Sequence, residues 1–348
     1  MESLLKHMVD MTGHRDHAML DISVISAVQE LARAAQTRVL SIVTIGGQRF
    51  LRSRASIGSG RCARADEPLE AAPLGDPMEH FPELAQCIDT HADSVETVAD
   101  DGCHTLWLPI WFGDKADTVL EIMSDGPFAR DTLHTVSGIV GVYRNFHGLL
   151  AYSERDSLTG LLNRKTFDDE LARMLQAVND ANLLLPGQPE RRHAGDGDEE
   201  QQWLAVVDVD HFKTVNDRFG HLYGDEVLIL IANLLTSSFR AQDRVFRFGG
   251  EEFVILLRST TLENACRIIE RFRTNVAEHL FPQVGTVTVS CGFVHIRAGE
   301  SPVVSLGHAD QALYFAKSHG RNQVCHYDEL VANGQLQAVA SNDTAEFF

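Results

Sequence analysis

Arg247-Phe248-Gly249-Gly250-Glu251-Glu252-Phe253 lies between the apolar runs Val245-Phe246 and Val254-Ile255-Leu256-Leu257. Two β-prone runs around paired glycines read as a hairpin, because tight turns favour residues that tolerate φ > 0. Two carboxylates then stand at its tip. Alone, such a motif is equally well a solvated surface turn, so the neighbouring chain decides its meaning.

Working outward, Trp203 to Val209 reads as a strand, Gly224 to Phe239 as an amphipathic helix and Val245 to Leu257 as the hairpin. Thr261 to Leu280 follows as a helix, Val284 to Ile296 as a strand, Val304 to Ser318 as a helix and Gln323 to His326 as a last strand. The order β, α, β-hairpin, α, β implies an α+β, ferredoxin-like arrangement of the kind used in polymerase palms and nucleotide cyclases. The first strand is apolar until Asp208-Val209-Asp210. Residues two apart share a face of a strand, so Asp208 and Asp210 are expected to point together. Two acids ending a buried strand beside an acidic hairpin are costly unless cations neutralise them. Magnesium suits such a site, being content with few protein carboxylates plus phosphate oxygens, and manganese is an alternative.

The segments around these acids resemble the GGDEF family of diguanylate cyclases. The resemblance rests on Asp-Ser-Leu-Thr-Gly-Leu-Leu-Asn-Arg from Asp156, Asp-Val-Asp-His-Phe-Lys from Asp208, the run through Asn216 to Asp225, Arg-Phe-Gly-Gly-Glu-Glu-Phe from Arg247, and Ala316-Lys317-Ser318-His319-Gly320-Arg321-Asn322. It covers about half the chain, Asp156 to His326. Glu251 departs from the family's more usual Asp but keeps the carboxylate.

The resemblance implies a palm-type nucleotidyl cyclase that condenses two GTP into cyclic di-GMP across a homodimer. Asp208, Glu251 and the Val209 main-chain carbonyl are implied as holders of Mg²⁺ on the triphosphate; spacing alone does not choose Asp208 over Asp210. Glu252 is implied as the residue that activates or orients the attacking 3′-hydroxyl, although neighbouring strand residues ordinarily face opposite ways. Lys213, Lys317 and Arg321 are implied to meet phosphate oxygens. Asn216 and Asp225 would read the base, since a carboxylate accepts from guanine's N1–H and N2–H₂ whereas adenine offers an acceptor at N1. Phe212, His221, Gly249 and Gly250 complete the substrate-binding set, the glycines letting backbone approach the nucleotide. Upstream, Arg240 and Asp243 match the family's product-inhibition site for cyclic di-GMP, with Arg271 as a secondary contact.

The remaining chain divides into residues 1–128, a sensory or dimerisation domain; 129–157, a signalling helix; 158–328, the cyclase domain; and 329–348, a weakly structured tail. In the first domain, Met19 to Ala35 and Met78 to Asp89 read as helices. Arg38 to Ile45, Phe50 to Ile57, His104 to Phe112 and Thr118 to Ser124 read as strands, with a loop from Gly58 to Pro77. This order resembles a GAF domain, which implies an unknown small-molecule or protein input; a purely structural dimerisation module is the other reading. In the Asp131 to Asp156 helix, Leu133, Val136, Val140, Tyr143, His147 and Leu150 recur at three- and four-residue steps, the seam of a parallel coiled coil. The alternative is that this stripe, widened by Ile139, Phe146 and Leu149, packs on its own domain. Residues 177–202 read as an insertion, polar from Asn182 onward.

A net charge of −19 argues against nucleic acid or anionic membrane as the main partner. The longest apolar runs are too short for a membrane span, and the N-terminus lacks a signal-peptide pattern, so a cytoplasmic location is expected. The six cysteines are unpaired in sequence, and the sixteen histidines show no repeating ligand spacing. Two further functions stand beside the cyclase: a catalytically silent receptor for GTP or cyclic di-GMP, and a synthase of mixed guanine-adenine dinucleotides.

Overall fold

The computed structural model describes residues 2–45, 47–58, 60–65, 75–183, 200–240, 242–297 and 299–337. They form two compact units, Met1–Ser153 and Glu154–Phe348. The first unit starts with helices Glu2–Gly13 (α1) and His17–Ala32 (α2), the latter capped by Asp16, whose side chain accepts from the Ala18 and Met19 amides. Strands Gln36–Ile45 (β1) and Gln48–Gly58 (β2) follow, with two-residue pieces at Arg64–Ala65 (β3) and Asp76–Pro77 (β4). After a 3-10 turn, Met78–His80, come helix Pro82–Asp89 (α3) and strands Val95–Val98 (β5), His104–Phe112 (β6) and Lys115–Ser124 (β7). The sheet is antiparallel throughout, in the order β3-β2-β1-β7-β6-β5 with β4 on β2.

Helix Arg130–Ser153 (α4) closes this unit, stopping three residues short of the expected Asp156. Its stripe turns inward. Val136, Ile139 and Tyr143 are each 1% exposed and join Leu20, Val24 and Val28 of α2 in one core, while Leu133, Val140, Phe146 and Leu150 pack against it. The coiled-coil seam is therefore corrected: the apolar face is broader than two positions per heptad, and the unit's own sheet and α2 occupy it. The Tyr143 hydroxyl donates to buried Asp21 at 2.6 Å, and Arg54 pairs with the same carboxylate at 2.8 Å. Only the end of the helix keeps large apolar side chains in solvent, at Leu149 and Tyr152.

The second unit opens with strand Leu162–Asn163 (β8) and helix Arg164–Leu183 (α5). The expected insertion thus begins inside a helix, and its residues 184–199 lie outside those described. Strand Gln201–Val209 (β9) leads to two helices, Phe212–Phe219 (α6) and His221–Ser238 (α7), where the sequence suggested one. Strands Arg244–Gly249 (β10) and Glu252–Thr260 (β11) form the hairpin, and helix Leu262–Glu278 (α8) follows. The expected strand from Val284 is instead a small ribbon, Leu280–Phe281 (β12) with Gly285–Thr286 (β13), before strand Val289–His295 (β14). Helix Pro302–Ser318 (α9), strand Val324–His326 (β15) and helix Tyr327–Ala332 (α10) end the unit. Tyr327 and Leu330 are buried, so the tail expected from residue 329 starts within a packed helix; residues 338–348 lie outside those described.

The sheet order is β15-β14-β9-β11-β10-β8, with antiparallel centre and parallel edges. Its inner four strands, in chain order 4-1-3-2, are those of a ferredoxin-like fold. One face buries Ala205, Val207, Phe253 and Ile255 against α7 and α8; the other buries Leu204, Val206, Val254 and Leu256 against α5, α9 and α10. Each such side chain is worth roughly 1.5–3 kcal/mol of burial. At Gly292 on β14 a Cβ would lie 2.2 Å from the Ala309 carbonyl, so glycine is what lets α9 lie directly on the sheet.

Candidate active site

The register of the central strands sets the site. Glu252, the first residue of β11, stands directly opposite Asp208 of β9, and Ser290 of β14 stands opposite Asp208 on the other side. Directly opposed residues share a face. Glu251 belongs to the two-residue hairpin loop, so strand alternation does not separate it from Glu252, and its carbonyl accepts from the Val209 amide at 3.2 Å. Lys317 of α9 reaches down to place Nζ 2.8 Å from Asp208 Oδ2.

One ammonium among several carboxylates leaves negative charge uncompensated. Burial, and then Asp210 and Asp310, push the Asp208 carboxyl above its ordinary value despite Lys317. Burial and the Asp208 charge raise Glu251 as well, with Glu252 adding to the effect. Glu252 is raised by burial, Asp208 and Asp310, against Lys317 and Arg164. Such a cluster is suited to a hard divalent cation. Among the described residues no three His, Cys, Asp or Glu side chains converge as a protein-only cage. The two coupled carboxylates, Asp208 and Glu251, with the main-chain oxygen of Val209, could supply only a sparse donor set, of the kind that suits an ion keeping water and phosphate oxygens in its shell.

Asp210 adds its charge to the cluster, but its own carboxylate is held by protein donors. It lies just beyond β9, 5% exposed, and takes hydrogen bonds from Thr288 Oγ1, Ser290 Oγ and the Asn322 amide at 2.7, 2.7 and 3.0 Å. Ser290, opposite Asp208 in the register, donates to Asp210, so the two acids lie toward one face, but β9 ends at Val209 and Asp210 is held by its own protein donors.

The hairpin glycines also differ from expectation. Neither Gly249 nor Gly250 has positive φ. The register slips between Arg247 and Gly249, and this bulge supplies the bend that a positive-φ turn would otherwise give. A Cβ at Gly249 would stand 3.3 Å from Glu252 Oε2, and a Cβ at Gly250 would have no neighbour within 4 Å.

After β9, α6 and α7 meet at Gly220, whose φ of 89° turns the chain between them. A Cβ at Gly224 would fall 1.9 Å from Asn216 Oδ1 and 3.2 Å from Phe212 Cζ. Glycine there brings half-buried Asn216 against the first turn of α7, next to exposed Asp225. Phe212 is only 6% exposed and belongs to the core, so its ring forms the floor of this corner rather than a binding surface. Lys213 and His221 are exposed at its rim.

Residues 188–323 match the family model described as Diguanylate cyclase, GGDEF domain. The second unit carries a GGDEF domain. Over 172 residues the chain is 40% identical to diguanylate cyclase DgcP of Pseudomonas aeruginosa, a match covering 49% of this chain and 23% of that protein. It is 38% identical over 172 residues to diguanylate cyclase DgcM of Escherichia coli, covering 49% and 38%. With response regulator PleD of Caulobacter vibrioides it shares 37% over 187 residues, 52% of this chain and 37% of that one. The chain thus spans well under half the length of these relatives. Among solved structures, the coiled coil and GGDEF domain of DgcB from Caulobacter crescentus, in complex with c-di-GMP, aligns with a TM-score of 0.49 at 27% identity, over 56% of this chain and 97% of that one.

Elsewhere in the GGDEF domain, exposed Arg240 follows α7, and Asp243 is buried beneath it. Asp243 accepts from the Arg240 amide at 3.0 Å and the Arg258 amide at 3.3 Å, so it shapes the turn that presents Arg240. Arg271 donates to the Ser238 carbonyl at 2.6 Å, which brings it to the same corner. Sequence reasoning missed Arg247, which joins Asp156 Oδ1 at 3.0 Å to the Gly250 carbonyl at 2.9 Å. Burial pushes the Asp156 carboxyl up, but Thr159 and Arg247 outweigh it and hold it below its ordinary value. It missed Arg164 too, whose guanidinium lies 4.5 Å over the Phe248 ring beside the hairpin. Arginine following the Asn163 turn signal could have pointed to it. Lys317 stands in the last turn of α9 and Arg321 in the turn that follows it, Arg321 exposed with φ of 60°.

Proposed function

We propose that the chain is a diguanylate cyclase that converts two GTP into cyclic di-GMP and two pyrophosphates. The observation that carries the reading is the opposition of Asp208 and Glu252 beneath Lys317, on a domain whose α6–α7 corner offers Asn216 and Asp225 to a base. The matches to diguanylate cyclases over this half of the chain support it.

In this mechanism the 3′-oxygen of one GTP attacks the α-phosphorus of another; the new P–O bond forms as the bond to the β-phosphate oxygen breaks and pyrophosphate leaves. Asp208, Glu251 and the Val209 carbonyl would hold Mg²⁺ or Mn²⁺. The bound cation would polarise the α-phosphate and neutralise the leaving group. Glu252, on the same face as Asp208, orients the 3′-hydroxyl and receives its proton, a task helped by its raised pKa. Lys317 exchanges Asp208 for phosphate oxygens, and Lys213 and Arg321 take the outer phosphates. Asp225 accepts from guanine and leaves adenine unpaired, with Asn216 beside it and His221 at the rim. Gly249 and Gly250 leave room for the nucleotide.

One domain holds one GTP, so two copies must face each other across a two-fold axis. The first unit, a GAF-like module by its helix and strand order, controls that meeting in response to a small-molecule or protein input. GTP as substrate sets the reaction in the cytosol. Arg240, with Arg271 and the turn built on Asp243, binds cyclic di-GMP and restrains turnover; no nucleic-acid partner enters this scheme.

Purified protein given GTP and Mg²⁺ should release pyrophosphate and a cyclic dinucleotide of guanine alone. Nucleotide binding without product would favour the silent receptor, and product from ATP mixed with GTP would favour the mixed synthase. Equal GTP turnover by residues 154–348 and by the full chain would remove the control assigned to the first unit.

A further inference from the structure

We infer that Asp210 is a positioning residue for GTP binding, acting on the phosphate-binding Arg321 through the turn between α9 and β15. This rests on the reading of Arg321 as a phosphate contact. The turn is conformationally unusual: Gly320, Arg321 and Asn322 all have positive φ, at 115°, 60° and 45°. Two consecutive non-glycine residues in the left-handed region persist only where surrounding structure over-determines them.

Here the surroundings do so from three sides. The Arg321 amide donates to the Ala316 carbonyl at 3.0 Å, which ties the turn to the end of α9. The Asn322 amide donates to Asp210 Oδ2 at 3.0 Å, and the Asn322 side-chain oxygen accepts from Arg273 of α8 at 2.6 Å. Arg273 is in turn held by Glu270, with its Nε 2.9 Å from one carboxylate oxygen. Gln323 closes the turn by donating to the Ala316 and His319 carbonyls, both at 2.9 Å.

Asp210 is therefore the buried end of this clamp. Its own position is fixed by Thr288, Ser290 and its amide, which donates to the Thr288 carbonyl at 2.9 Å. Three protein donors occupy the carboxylate, which suits a permanent anchor better than a ligand to an incoming ion. Arg321, by contrast, is exposed, and among the described residues its guanidinium has no ion-pair partner. The anchored turn thus fixes the backbone from which an uncommitted cation projects. Pre-organising that backbone reduces the ordering that GTP must impose when it binds.

The test is a double-mutant cycle read by calorimetric binding of 3′-deoxy-GTP with Mg²⁺, a probe that lacks the attacking hydroxyl and cannot turn over. Asp210→Ala should weaken binding about three- to tenfold, Arg321→Ala by at least as much, and the double variant no more than Arg321→Ala alone. Arg273→Ala, which removes only the outer clamp, should weaken binding in the same direction and also add nothing in the Arg321→Ala background, so the inference stays testable if Asp210→Ala folds poorly. Asp210→Asn, whose amide oxygen can still accept from Asn322, should restore most of the affinity. Additive losses in either cycle, unchanged affinity in Arg273→Ala, or lost Mg²⁺ dependence of binding in Asp210→Asn would each overturn it. Because binding is read without turnover, a chain that binds the probe yet makes no cyclic product would count against the cyclase and leave this inference standing.

Discussion

Lys317 Nζ lies 2.8 Å from Asp208 Oδ2, a contact between the last turn of α9 and the end of β9. Asp208 is almost fully buried, so this ammonium compensates a carboxylate that has lost most of its contact with water. Lys317→Met should cost about 1–3 kcal/mol of stability in the absence of divalent ions, because it leaves a buried charge alone. Asp208→Asn in the same chain should recover most of the loss. Urea denaturation of the two single variants and the double variant checks this, and a loss that persists in the double variant would locate its cause elsewhere.

Removing the loop carboxylate should affect chemistry and spare the fold. Glu251 is half-exposed in the hairpin loop and packs no core. Glu251→Ala should keep folding stability within about 0.5 kcal/mol yet lower kcat for cyclic di-GMP formation by roughly 10²-fold or more. Wild-type turnover in this variant would remove Glu251 from the metal site.

Base reading is separable from both. Asp225 is exposed at the start of α7, so Asp225→Ala should be neutral for folding. Loss of a charged acceptor for guanine should raise KM for GTP about tenfold or more and narrow the preference for GTP over ATP. Competition between the two nucleotides measures it.

Arg240 and Asp243 should part company. Arg240→Ala should weaken product inhibition while stability stays within about 0.5 kcal/mol. Asp243→Ala leaves the Arg240 and Arg258 amides without their acceptor and should cost about 1–3 kcal/mol as well. Inhibition curves with added cyclic di-GMP, paired with denaturation, distinguish the contact from its support.

Asp328 offers a pH test away from the site. Burial raises its carboxyl, but His326 and Arg297 outweigh this and hold it down at about 2. A depressed carboxyl stabilises the fold above its unfolded value near 4 and loses that contribution as pH falls through the folded value. Asp328→Asn should therefore cost about 1–2 kcal/mol at neutral pH, since the group is partly exposed. The wild-type and variant stability curves should converge as pH falls from 4 toward 2.

Much of the second unit was legible because its strands are continuous apolar runs and its turns carry glycine. Asp208, the hairpin and Lys317 were found from residue types and resemblance together. What periodicity could not yield was the break between α6 and α7, since Gly220 looks like one more loop residue until its φ is known. Local pattern offered both a coiled-coil seam and packing within the domain for the α4 stripe and could not choose between them, because the choice depends on α2 and the sheet approaching from distant sequence. The different surroundings of Asp208 and Asp210 have the same origin: Thr288, Ser290 and Asn322 reach Asp210, and Lys317 reaches Asp208, only through tertiary structure.

Gly250 has no positive φ and no atom within 4 Å of the place a side chain would begin. The polypeptide itself could accept alanine there. On the proposed function the hairpin tip faces the nucleotide, so a side chain there would meet the ligand before it met the protein. Replacing Gly250 would then report the shape of the ligand, with the protein's own packing contributing almost nothing to the signal.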